Sequence, residues 1–149
     1  MTTIPFAPAS VTMPAETRRK CSPEARGAGT WSIRFLADDD APTAAWIDDI
    51  DPGVWVDDMT AAEVSVGLTS PGDIPQITVA PATWDGDDDA DPIVVTGVVM
   101  SVATSPTDDA VGRIVAVLMA DEPITIDRDE PISFEMLGPI RFLGLAVTP

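Results

Sequence analysis

Proline interrupts this chain fifteen times in 149 residues, about twice the usual share. Few long helices survive that frequency of breakers. The acidic residues point the same way. Aspartate outnumbers glutamate 19 to 6, and aspartate favours caps and turns where glutamate favours helix interiors. Valine, isoleucine and threonine, all plentiful, suit pleated surfaces. The expected fold class is all-β, with acidic loops.

Hydropathy patterning places the strands. Trp31, Ile33 and Phe35 alternate with Ser32 and Arg34, a half-buried strand that opens the body at Thr30. Asp38-Asp39-Asp40-Ala41-Pro42 ends it. A long connection follows to Asp58, in which Ala44 to Ile50 has room for one or two helical turns and Pro52-Gly53 stops anything helical. Glu63 to Leu68 alternates as one strand, and Ile74 to Val79 reads as an edge strand because of Pro75. Ile93 to Val102 is a near-continuous apolar run suited to a central strand. Gly112 to Met119, Ile124 to Ile126, Ile132 to Leu137 and Arg141 to Val147 complete the set. About eight short strands with turn signals every 8–12 residues are the pattern of an antiparallel sandwich.

Residues 1–29 differ from residues 30–149. In the first segment Ile4, Phe6, Val11 and Met13 stand isolated, with no sustained period, so an extended N-terminal arm is expected, followed by one sandwich domain. The arm carries Arg18, Arg19, Lys20 and Arg26 against Glu16 and Glu24, or 4 − 2 = +2, whereas the body carries 4 − 23 = −19. Such an arm is either a frayed terminus or a segment that docks on an acidic neighbour. The net charge of −17 repels phosphate, so nucleic acid is not an expected partner. No run approaches 18 apolar residues, so no membrane span is expected, and Met1 to Pro14 lacks the regions of a secretory signal.

Catalytic motifs are missing. With no histidine and a single cysteine, Cys21, a Ser-His-Asp or Cys-His nucleophile, a histidine-bound zinc and an internal disulfide are excluded. Arg18, Arg19 and Lys20 stand near Cys21 and favour its thiolate, but no base accompanies it. No pair of carboxylates stands out for glycoside hydrolysis.

Two constellations could bind something. Asp85, Asp87 and Asp89 have the spacing of the first half of a calcium-binding loop, where a hard cation collects six to eight oxygens. The second half fails: position twelve is Thr96 and position six is Ala90. A solvated acidic turn has the same composition. Asp38-Asp39-Asp40, Asp48-Asp49-Ile50-Asp51 and Asp57-Asp58 are similar clusters. Trp46 and Trp55 lie in the long connection, where large apolar side chains either cover the core or meet another protein.

From Thr30 onward the order of features resembles the immunoglobulin-like N-terminal domain of phage baseplate and tail-fibre proteins. Thr30-Trp31-Ser32-Ile33-Arg34-Phe35-Leu36-Ala37-Asp38-Asp39-Asp40 is similar to that family's first strand and its acidic end. Asp58-Met59-Thr60-Ala61-Ala62-Glu63-Val64-Ser65-Val66 is similar to its turn and following valine strand. The likeness covers about 40 residues, on the order of a third of an ordinary domain. The chain departs from the family in its long segment 42–54, and it has Gly112-Arg113-Ile114 where a Gly-x-Tyr strand is usual. The resemblance implies an immunoglobulin-like sandwich and a non-enzymatic structural role in the virion of a tailed virus, in tail, baseplate or capsid, among other virion proteins and copies of itself. The alternative is a calcium- or carbohydrate-binding sandwich module.

Overall fold

The computed structural model describes residues 2–6, 10–14, 30–40, 42–44, 46–56, 59, 61–69, 76–87, 91–103, 113–136, 140–141 and 146–148. Twelve strands run through them: β1 (Thr2–Phe6), β2 (Ser10–Pro14), β3 (Thr30–Leu36), β4 (Ala62–Val64), β5 (Val66–Thr69), β6 (Gln76–Val79), β7 (Ala82–Trp84), β8 (Ile93–Ala103), β9 (Arg113–Ile126), β10 (Ile132–Met136), β11 (Ile140–Arg141) and β12 (Ala146–Thr148). The fold is all-β and mostly antiparallel, as the composition requires. A six-stranded sheet has the order β12-β2-β9-β8-β3-β4, and two three-stranded sheets have the orders β1-β10-β7 and β11-β6-β5. Two pairings are parallel, β1 with β10 and β12 with β2.

Alternation along β3 sends its two faces to two cores. Trp31, Ile33 and Phe35 join a large cluster with Val98, Met100, Val102 and Leu118 of the same sheet. Ile132 and Phe134 of β10 and Ala82 of β7 close that cluster from the opposite side, and Val66 and Val79 pack against it. Side chains from all three sheets thus share one interior. Leu36, on the other face, belongs to a second cluster with Val99, Ile114 and Val117, covered by Ile50 and Trp55 from the long connection.

The β8–β9 pair keeps its faces constant through two irregularities. Val95 pairs with Ile124 but Gly97 pairs with Met119, so Thr96 alone stands opposite residues 120–123. The shift of parity lets both Val95 and Val98 face the large cluster. A Cβ on Gly97 would lie 2.7 Å from the Leu118 carbonyl oxygen, so the strands approach this closely only at glycine. The buried Thr96 hydroxyl shares its one proton between the carbonyls of Leu36, at 3.2 Å, and Asp38. It ties the end of β3 to the irregularity in β8.

Several expectations are corrected. Glu63 to Leu68 is not one strand. It divides at Ser65, with Val64 paired to Trp31 in one sheet and Val66 paired to Val79 in another. Period-two alternation is the same on both sides of such a switch, so the pattern alone does not reveal it. Gln76–Val79 is not an edge, because β6 lies between β5 and β11; Pro75 falls outside the described residues. Residues 113–119 of the expected strand at 112–119, and residues 124–126, belong to one strand, β9; Gly112 falls outside the described residues. Ile47–Asp49 forms the expected short turn of helix, of 3-10 type. Pro52–Val54 forms a second one, with proline in its first position, where the missing N–H costs nothing.

The largest correction concerns the N-terminal segment. Thr2–Phe6 pairs with β10 and Ser10–Pro14 pairs with both β9 and β12, so these stretches are built into the sheets. An extended arm and a paired strand have the same local conformation. What separates them is the open ladder on β9 and β10, which lies far away in sequence. Residues 15–29, with the basic cluster and Cys21, lie outside the described residues.

Candidate functional site

The tryptophans of the long connection are held by arginines of the sheet. The Trp55 backbone bridges Leu36, flanked by hydrogen bonds from Ala37 N to the Val54 carbonyl at 2.8 Å and from Val56 N to the Phe35 carbonyl at 3.2 Å. Residues 54–56 thereby cover the edge of β3 beyond β4. The Trp55 side chain is 6% exposed and takes the core-covering role, with the Arg34 guanidinium 4.6 Å from its ring centre. Trp46 is half-buried, bridges Arg113 and carries that guanidinium 4.4 Å from its ring centre. Among the described residues Arg34 Nε and Arg113 Nη1 are buried with no hydrogen-bond partner, and the tryptophan faces supply compensation. Burial lowers the Arg34 pKa below the ordinary arginine range.

The long connection, a strap over the sheet, itself forms with Asp38 and Asp40 a pocket of about 250 Å³, lined also by Asp49 and Asp51. Two of these carboxylates organise their own turns. Asp38 Oδ1 accepts from Asp40 N at 3.3 Å, and Asp51 Oδ1 accepts from Gly53 N at 2.9 Å. Among the described residues no three acidic or cysteine side chains are grouped so as to hold a metal ion.

The acidic turn after β7 builds a different site. Trp84 ends the strand with its ring 4.7 Å from that of Phe35, tilted by 34°. Gly86 then passes so close to the next loop that a Cβ would stand 2.7 Å from the Glu130 carbonyl carbon and 3.0 Å from Pro131 N. Asp87 N donates to the Arg128 carbonyl at 2.7 Å, and Arg128 Nε donates to the Asp91 carbonyl at 2.8 Å. These contacts clamp two loops around a cavity of about 370 Å³. Met59, Trp84 and Ile132 form its apolar lining, and Thr83, Asp85, Asp87 and Arg128 its polar lining.

Of the three aspartates with calcium-loop spacing, the structure brings Asp85 and Asp87 to this cavity together with a guanidinium. Asp89 lies outside the described residues, as do Arg18, Arg19, Lys20 and Arg26. Sequence reasoning missed Arg128, Met59 and Trp84 as members of one site. The signal available was the lone base in Asp127-Arg128-Asp129-Glu130, since a single cation inside an acidic run has carboxylates to hold. Compared with protein-family models, curated proteins and solved structures, the chain has no match.

Proposed function

We propose that this chain is a non-enzymatic structural protein of a tailed virus particle. It is attached to tail, baseplate or capsid through protein–protein contacts, and its layered body is an immunoglobulin-like sandwich. The observation that carries the reading is the use of the cations. Arg34 and Arg113 lie over tryptophans and Arg128 donates to a backbone carbonyl, so these arginines secure loops of the body. Half of the chain's basic residues, Arg18, Arg19, Lys20 and Arg26, fall instead within nine positions of a segment of opposite net charge. Complementary charge on separate parts of one chain favours contact between copies, or with an acidic neighbour, and sets their register. Trp46, half-buried at the surface of the strap, adds an aromatic contact of the kind that anchors interfaces. Trp55 serves the fold.

The family resemblance adds support of a second kind. Its two motifs, which are separated in sequence, are antiparallel neighbours through Trp31 with Val64, Ser32 with Glu63 and Ile33 with Ala62. They form one structural unit.

The test is native mass by light scattering at low and at high salt, on the full chain and on a variant with the four basic residues replaced by glutamine. A homo-oligomer that loosens in the variant, most visibly at low salt where exposed charges are least screened, is the expected result. A monomer under every condition, together with absence from purified particles, would overturn the reading.

A further inference from the structure

We propose that the cavity beside Trp84 binds a neutral polyhydroxylated ligand, a sugar ring, independently of any role in particle assembly. The lining is of two kinds. The half-buried Trp84 offers an apolar surface on which the C–H face of a pyranose packs, with the buried Met59 and Ile132 behind it. Asp85 and Asp87 supply acceptors and Arg128 supplies donors around it. Sugar hydroxyls donate and accept at once, so they are matched by a rim that holds both types. The rim selects against other small ligands. Two carboxylates repel a phosphate, and the guanidinium repels a divalent cation. At about 370 Å³ the cavity falls within the range of small-molecule sites, roughly 300–1,000 Å³. It is also set in place before a ligand arrives. The Phe35 ring holds Trp84, Gly86 seats one loop on the other, and the Asp87 to Arg128 backbone bond joins them. Little ordering remains to oppose binding.

The full-length chain is titrated with methyl α-glucopyranoside, methyl β-galactopyranoside and N-acetylglucosamine, read by saturation-transfer NMR and tryptophan fluorescence. At least one of the three is expected to bind saturably, with transfer strongest to its ring protons. Asp85→Ala removes an exposed acceptor and is expected to weaken binding about tenfold or more with an unchanged melting temperature. Trp84→Phe keeps an aromatic ring against Phe35 and also weakens binding. Asp49→Asn, in the other pocket, leaves it unchanged. Saturable binding by none of the three overturns the proposal. So does binding indifferent to both Asp85→Ala and Trp84→Phe, and so does binding that requires calcium and is lost in EDTA.

Discussion

Arg113 and Trp46 meet twice, once as a backbone bridge and once as a guanidinium 4.4 Å from the centre of the indole ring. Arg113 opens β9 and Trp46 lies in the connection that covers the outer face of the six-stranded sheet. The pair therefore pins a loop to a strand far away in sequence. A double-mutant cycle with Arg113→Ala and Trp46→Ala, followed by urea unfolding, should give a coupling of about 0.5–2 kcal/mol. A coupling near zero would mean that the backbone alone holds the strap.

The two tryptophans of that connection should separate in their energetics. Trp55 is buried in the second core cluster, so Trp55→Ala should cost about 3–5 kcal/mol, as for large aromatic truncations. Trp46→Ala should cost much less and should weaken assembly instead. Equal losses of stability would contradict this division of labour.

Thr96 is a buried polar residue whose hydroxyl serves the Leu36 and Asp38 carbonyls. Thr96→Val keeps the shape and removes the donor. About 1–3 kcal/mol of stability should be lost, and amide exchange at the end of β3 should quicken. Unchanged exchange there would show that the carbonyls find another donor.

Gly97→Ala tests the close approach of β8 and β9. The added Cβ meets the Leu118 carbonyl oxygen and the Met119 sulfur, both at 2.7 Å. Met119 can move away, but the backbone oxygen is held in the ladder. A loss of about 1–3 kcal/mol is expected from overpacking, measured as a lowered melting temperature. A neutral result would mean that the strands separate here at no cost.

Deletion of residues 1–14 removes both β1 and β2 and leaves β9 and β10 with unpaired edges. The truncated chain should lose cooperative unfolding or aggregate through those edges. Replacing Arg18, Arg19, Lys20 and Arg26 should leave the melting transition in place. Denaturation curves of the two variants distinguish a built-in strand pair from a dispensable arm.

Side-chain chemistry along the chain determined the fold class. Proline and aspartate exclude long helices whatever the partner, because ring geometry and turn formation act locally. Alternation assigned Trp31, Ile33 and Phe35 to a single face, and the apolar run of β8 to a buried position. Tertiary structure alone decided where each strand pairs. Ser65 divides one alternating run between two sheets, and Thr2–Phe6 and Ser10–Pro14 become strands because β10 and β9 offer them open ladders. The cavity beside Trp84 has the same origin. Asp85 and Asp87 are two positions apart in sequence, but Met59, Arg128 and Ile132 reach them only through the packing of separate loops on β7 and β10. Local propensity acts over a few residues, whereas pairing register and shared cavities depend on distant backbone groups finding partners.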